Sequence, residues 1–510
     1  MSRWAAADLV GVVPLWVVTL ELAGTQFRIG TQSFSVVNDA GKSLRIDAGL
    51  TLPEIEKSAP FLGKSETRTA SIEMRPPFSY ATLRTYGINL VGRSAEIALI
   101  RPGDTWEQRK IQLSGVITGL SWGSDGQPLQ IDLEESIQQE RGLIGNLTVT
   151  DRSWPNAPDS VKGAIYPVIL GNCGGGSVPG APALPVDDVG FGGDHRSYLV
   201  VAAHPVAATS TTIFCGDNSE GLAVSQIQDA DGNVISVVDM ETVTTVAWDL
   251  EEEYYSSWAD AGHIASAGGN PAGAGGIVSL VCAYSSLRID WGAVQGLSDW
   301  LDQYRIGATI TDPTAPLQWI EDALLPVLPV VLVTGPDGWR LLRINLAATA
   351  SDCCATLRAV QRSTAAILDG LVETQGYSDL INDVTLKYFL DYSLDDTTKS
   401  ARMSAVFGAD THGDAALAAA QTLGVKQASA DSVVVYDDAT AYLILRWKAL
   451  AFSRTREVLR YLVPGSWAWI EPGDLLRLVD EELQIDAPAY VQAVSMLSSG
   501  WIRLELVVWQ

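Results

Sequence analysis

Alternating apolar and polar residues dominate both ends of this chain. Phe27-Arg28-Ile29, Ser33-Phe34-Ser35-Val36-Val37 and Leu44-Arg45-Ile46 read as short strands with one wet face, and Asn38-Asp39-Ala40-Gly41 as a turn between them. The apolar run Leu9 to Leu20 contains Pro14 and is shorter than the roughly 20 residues a bilayer-spanning helix needs. It is expected to be the first strand, running on through Leu22, with no stable membrane anchor. A brief helix is expected over Glu134 to Arg141.

One pattern occurs twice. Ile100-Arg101-Pro102-Gly103-Asp104 precedes the apolar run Gly115 to Leu120 and the alternating run Leu129 to Glu134. Ile470-Glu471-Pro472-Gly473-Asp474 precedes Tyr490 to Val494 and then Trp501 to Leu506. From the Asp to the Ile of the last run is 27 residues in one copy (Ile131) and 28 in the other (Ile502). Pro presets φ and Gly accepts the positive φ of a type II turn, so both motifs predict a tight turn opening a strand-rich module.

The middle of the chain departs from this period. Residues 151–285 are rich in Gly, Pro and Ala, with strand-like pieces at 198–203 and 234–238 and the hairpin signal Asp229-Ala230-Asp231-Gly232-Asn233. Residues 286–375 turn to α/β character. Val294, Leu297, Trp300, Leu301 and Tyr304 form one helical stripe, and Leu317 to Leu324 reads as a second helix ended by Pro326 and Pro329. A hairpin is expected around Gly335-Pro336-Asp337-Gly338. Residues 376–510 return to β, with helices expected at Asp414–Leu423, Ala439–Ala451 and Arg454–Leu462.

The expected architecture is therefore mainly β with an α+β middle. It comprises a first tube-like antiparallel β-barrel module (1–150), a Gly/Pro-rich β insertion (151–285), a small α/β domain (286–375) and a second tube-like module (376–510). The two end modules form one split core.

Composition narrows the function classes. The chain has 510 residues, 60 acidic against 34 basic, for a formal net charge of −26. No basic block exists to neutralise phosphates, so stable nucleic-acid binding is not expected. Five Cys without regular spacing do not form a disulfide framework. The four His lack metal-ligand spacing, and neither a Gly-x-Ser-x-Gly elbow nor a phosphate-binding loop occurs. Cys173 in its Gly-rich setting reads as a turn residue sooner than a nucleophile. No catalytic residue, metal or cofactor is expected. Many of the 16 Trp stand at the edges of strand-like runs, where amphipathic rings suit interfaces. Interface candidates are Pro102, Gly103, Asp104, Trp122, Trp467, Trp469, Pro472, Gly473, Asp474 and Trp501.

Three segments carry a resemblance. Gly465 to Asp474 with Gly500-Trp501 resembles the closing barrel of phage tail baseplate hub proteins. Pro313 to Glu321 with Leu325 to Val330 is similar to their central part. Leu20 to Ile29 with Trp106-Glu107-Gln108-Arg109 is similar to the first domain of siphophage and gene-transfer-agent hubs. The resemblance implies a structural virion protein at the tail tip, made in the bacterial host cytoplasm. It implies a homotrimer whose six barrels adapt a sixfold tube to a threefold tip. The implied partners are the distal tail protein and tail tube, the tape-measure protein, and a central fibre or tip protein. Genomic DNA would pass through the lumen, which an acidic lining would suit, and a host surface glycan is a further expected contact for the insertion. A tail-associated wall hydrolase and a hexameric distal tail ring are the competing readings.

Overall fold

A computed structural model describes residues 15–22, 25–51, 53–58, 69–75, 89–122, 128–135, 141–175, 178–189, 195–242, 252–258, 273–335, 338–359, 367–369, 373–374, 380–404, 426–453, 456–497 and 499–509. The fold is mainly β, with a few helices concentrated in the middle of the chain. It separates into two compact units. The first contains 1–139, 331–376 and 455–510; the second contains 140–330 and 377–454.

In the first unit the N-terminal strands are β1 (Leu15–Leu22), β2 (Thr25–Gly30), β3 (Phe34–Val37), β4 (Ser43–Ala48), β5 (Glu54–Ser58), β6 (Thr69–Met74), β7 (Ser94–Ile100), β8 (Lys110–Trp122) and β9 (Leu129–Glu135). They lie in the order β5-β6-β9-β8-β7-β1-β2-β4-β3. The C-terminal strands Arg456–Pro464, Trp501–Trp509 and Ile485–Met496 continue the same sheet, because Ile485–Met496 pairs antiparallel with β5. Both ends of the chain thus share one sheet and one apolar core. Val18, Ile29, Ile72 and Ile131 from the N-terminal side belong to the same buried cluster as Leu459, Tyr461, Leu504 and Leu506. A smaller core of Val17, Val36, Ile46, Ile100 and Trp106 forms where β3 and β4 join β1 and β7.

The turn chemistry holds at residue level. Asn38 to Gly41 closes with Gly41 at φ 74° and its N–H donating to the Asn38 carbonyl at 2.8 Å. Arg454–Leu462, expected as a helix, is instead the strand Arg456–Pro464, with Leu459, Tyr461 and Val463 buried at every second position. A period of two there outweighs the helix-favouring Arg, Glu and Leu of the segment, because the nine-residue pairing with Trp501–Trp509 satisfies its backbone. Leu129–Glu135 is strand where the Glu134–Arg141 helix was expected to begin. The rest of that helix (136–140) and all of Asp414–Leu423 lie outside the described residues.

The second unit contains a seven-stranded antiparallel sheet in the order Asn218–Ala223, Ser210–Cys215, Tyr254–Ser257, Ala181–Val189, His195–Ala202, Val234–Asp239, Ser225–Gln228. Its first and last strands are consecutive in sequence, separated by Val224 alone. One bent segment therefore forms both edges, and the sheet closes on itself as a small barrel filled by Leu199, Val201, Ile213, Leu222, Val238 and Trp258. The Asp229–Asn233 hairpin appears as expected, with Gly232 at φ 89° and Asp229 accepting from the Asp231 and Asn233 backbone.

The helix Trp291–Leu301 starts at Asp290, whose carboxylate accepts from the Ala293 N–H at 3.1 Å. The expected second helix is α over Pro316–Trp319 and π over Ile320–Leu324. The helix Ala274–Tyr284 had no counterpart in the sequence reading. Its Gly275 lets the backbone of the next helix approach, since a Cβ there would lie 2.3 Å from the Ser298 carbonyl oxygen. Asp438–Phe452 matches the expected helix and packs on the sheet formed by Asp383–Asp391, Asp396–Ser404 and Gln427–Asp431.

Candidate interface site

The two Pro-Gly-Asp turns have the same backbone. Gly103 has φ 96° and Gly473 φ 93°, and the Asp104 and Asp474 N–H groups each donate at 3.1 Å to the carbonyls of Arg101 and Glu471. Each module also contains a bulged hairpin of one design. Trp122 pairs with Leu129 and Met496 with Ile502 at the hairpin mouths, and the register skips Thr118 in one and Gln492 in the other. The bulges fall four residues before the mouth in both cases, so Leu129 is the structural counterpart of Ile502 and Ile131 that of Leu504. The matched spacing to Ile131 and Ile502 therefore compares positions two residues out of register.

The connections between turn and hairpin differ. The first turn joins the paired neighbours β7 and β8. The second leads into an additional strand, Leu475–Asp480, which pairs with Ile485–Met496 and runs parallel to Ala355–Ala359.

Their surroundings differ more. Pro102 and Gly103 are exposed, and a Cβ on Gly103 would meet nothing within 4 Å. Arg101 Nε donates to Asp104 Oδ2 at 3.0 Å, closing the turn on itself. Just beyond it, Trp106 is buried beneath two guanidinium groups, with Arg109 4.5 Å and Arg28 5.0 Å from its ring centroid. Glu96 holds Arg109 through two bonds of 2.7 and 3.3 Å. Burial and the adjacent Arg109 charge hold the Arg28 guanidinium below its ordinary pKa, with Glu96 acting in the opposite sense.

The second turn is sealed. Pro472 and Asp474 are buried, and a Cβ on Gly473 would lie 2.1 Å from Leu342 Cδ1. Glu471, in the position Arg101 has in the first turn, receives Lys57 Nζ at 3.2 Å on both carboxylate oxygens and Lys110 Nζ at 3.0 Å. The Lys57 side chain is 0% exposed and also donates to Gln112 Oε1 at 2.6 Å. Lys57 lies on β5, the strand that joins the two modules, so this ion cluster ties the C-terminal turn to the N-terminal strands. None of its members except the turn itself stood among the sequence candidates. Its only trace in the sequence is the reversal of charge from Arg101 to Glu471 at one position of a repeated turn.

Of the aromatic candidates, Trp467 and Trp469 stack at 6.0 Å with 21° between planes, Trp469 buried and Trp467 half-buried. Trp501 is half-buried and its backbone pairs with Pro464. Trp122 ends β8 opposite Leu129. Eight of the ten candidates therefore divide into an open first turn and a second turn that, with its Trp pair, packs into the core; Trp122 and Trp501 belong to neither.

Cys173 is fully buried, and its thiol donates to the Leu170 and Ala308 carbonyls at 3.4 and 3.3 Å. Burial pushes its pKa up to about 11, which favours the protonated thiol at neutral pH. His204 is buried with Nε2 accepting from the Ile169 N–H at 3.3 Å. Charge is unevenly divided. The second unit carries 33 acidic against 13 basic residues, the first 27 against 21. The acidity that the whole-chain total would assign to a strand-built lumen is thus mostly in the other unit, −20 against −6.

No family model matches the chain, and no curated protein matches it. Among solved structures it is similar to a tail protein from Neisseria meningitidis MC58, at 9% identity over 97% of this chain and 96% of that one, with a TM-score of 0.39. It is also similar to a chain of the virion of a native gene transfer agent particle, at 13% identity, covering 71% of this chain and 88% of that one, TM-score 0.43. A third similar structure is the 43 kDa tail protein of prophage MuSo2 from Shewanella oneidensis, at 10% identity, 96% and 98% coverage and a TM-score of 0.34. With TM-scores below 0.5, none of these likenesses fixes a role.

Proposed function

We propose that this chain is a structural protein of a phage-type tail, a homotrimeric tail-tip hub without enzymatic activity. The observation that carries the reading is the pair of bulged-hairpin modules, one from each end of the chain, joined edge to edge through β5 and Ile485–Met496. Three such chains offer six similar sheet segments, the number needed to meet a sixfold tube while keeping threefold symmetry below it. Sheet edges completed by neighbouring subunits would also remove an aggregation liability.

The distal tail protein and tube would dock on one side of this ring, a fibre or tip protein on the other, and the tape-measure protein would enter the centre. The first unit is mildly acidic in total, which would not favour retention of DNA in passage. The burial of Cys173, its thiol held against the Leu170 and Ala308 carbonyls, supports this reading over a cysteine hydrolase.

The test is the solution mass by light scattering, followed by electron-microscopic class averages. A trimer with a pseudo-sixfold ring is expected. A hexamer would replace the hub with a distal tail ring, and a chain that stays monomeric at high concentration would sink the assembly reading.

A further inference from the structure

The ion cluster of the first unit holds an amine, a carboxamide and a carboxylate against one another inside the core. Lys57 alternates with Ile55 along β5, so its side chain takes a core position, and its partner across the sheet is Val494. Gln112 is turned inward by a bulge in β8. The β7–β8 register passes from Ile97–Leu113 to Ala98–Ile111 and skips Gln112, so the adjacent Gln112 and Leu113 are both buried. Two strands, β6 and β9, separate β5 from β8 in the sheet. On a flat sheet the two would stand about 14 Å apart, so the sheet curls until their side chains meet. Lys57 Nζ donates to Gln112 Oε1 at 2.6 Å and to both Glu471 oxygens at 3.2 Å. Lys57, Gln112 and Glu471 are 1%, 0% and 4% exposed, which keeps bulk water from all three.

Two features go beyond what a structural hydrogen-bond network needs. Gln112 Nε2 is buried with no hydrogen-bond partner among the described residues, a costly loose end for a carboxamide. Two ammonium groups also share the one carboxylate, since Lys110 Nζ lies 3.0 Å from Glu471. The Lys110 side chain is 19% exposed and reaches solvent, whereas that of Lys57 is 0% exposed. Like-charge repulsion and burial therefore both favour transfer of a proton from Lys57 to Glu471, which leaves a nucleophilic amine beside the carboxamide.

We propose that Lys57 and Gln112 are the site of a self-catalysed isopeptide bond, with Glu471 as its proton carrier. Glu471 takes a proton from the Lys57 ammonium, and the freed lone pair attacks Gln112 Cδ to form a new C–N bond. Glu471 delivers its proton to Nε2 and removes one from the attacking nitrogen. The Cδ–Nε2 bond breaks, its electron pair leaving with the nitrogen as ammonia. The proton left on Glu471 goes with it, so ammonium departs and Glu471 returns to a carboxylate. No oxidant or cofactor enters the balance. Fixed reactants at contact distance raise the effective concentration, and a dry site protects the carbonyl from hydrolysis. The ion cluster with both lysines charged is the chain before this step. The bond ties β5, which joins the two modules, to β8 across 55 positions of sequence, in a chain whose five cysteines are all free.

The site is complete within the first unit of one chain and does not depend on the trimer. Intact-mass spectrometry of the purified, denatured full chain tests it, followed by peptide mapping. The chain should be lighter than its sequence by one ammonia, about 17 Da, and proteolysis should give a branched peptide joining Lys57 to Gln112. Lys57→Met and Gln112→Leu, which keep the side-chain volume, should stay at full mass, as should Glu471→Gln. A native chain at full mass, with Lys57 and Gln112 recovered in separate unmodified peptides, would overturn the proposal. So would an ammonia loss mapped to any other pair of residues. The link found in a Glu471→Gln chain with a native melting curve would overturn the role of Glu471. Where a variant does not fold, the mass and peptide map of the native chain decide alone. A trimer at full mass would overturn this bond and leave the hub, whereas a linked monomer would overturn the hub and leave the bond.

Discussion

Removing the charge of Glu471 should unfold the first unit more readily than any surface change to it. Lys57 Nζ lies 3.2 Å from both Glu471 oxygens, with its side chain 0% exposed, and Lys110 Nζ lies at 3.0 Å. At that separation the attraction is about 5 kcal/mol for an effective dielectric of about 20, most of which offsets the cost of taking the charges out of water. The pair as a whole is therefore worth little net, but breaking it is expensive. Glu471→Gln leaves two lysines facing a neutral amide, one with no route to solvent, and should cost about 3–5 kcal/mol.

Lys57→Met should cost less, because Glu471 keeps Lys110 and the methionine fills the space of the lysine stem. The double variant should be more stable than Glu471→Gln alone, giving a coupling that a double-mutant cycle resolves. Guanidinium unfolding followed by tryptophan fluorescence is the assay, with Trp467 and Trp469 beside the cluster as reporters. If Glu471→Gln unfolds within about 0.5 kcal/mol of the parent, a surface-like value, the cluster does not hold the modules together and the reasoning fails.

Two further predictions follow from the same contacts and from the second unit. Gly473→Ala must accept φ 93° and a 2.1 Å encounter with Leu342, whereas Gly103→Ala meets only the backbone cost of φ 96°. Melting curves should show a loss of about 1–2 kcal/mol at position 103 and clearly more at 473; equal losses would mean that the second turn is not sealed. Asp383 is buried and its pKa is lowered chiefly by its bond to Arg402, with Gln427 contributing. A depressed carboxylate pKa gives stability that is present above the unfolded value of 3.8 and lost as pH falls through the lower folded value. Asp383→Asn should therefore be less stable at neutral pH and show a shallower loss below about pH 4; an unchanged acid slope would contradict this.

Local chemistry was readable from residue order wherever a single short segment decides the outcome. The positive-φ glycines at 103 and 473, the Asn38–Gly41 turn, the Asp229–Asn233 hairpin and the Asp290-capped helix each follow from backbone sterics or from one side chain bonding its own neighbourhood. The mainly β class and the likeness of the two ends were legible for the same reason, since period-two alternation is a local property.

Tertiary structure decided what depends on partners far away in sequence. Two turns with one backbone ended in opposite environments, because Lys57 and Leu342, distant in sequence from the second turn, close over it, while a Cβ on Gly103 would meet nothing. Arg456–Pro464 became a strand because Trp501–Trp509 was there to pair with it. The Gly/Pro-rich stretch closed into a barrel because one bent segment serves as both of its edges. Pairing, burial and charge compensation are properties of neighbours in space, and a sequence alone names the residues without saying which of them will meet.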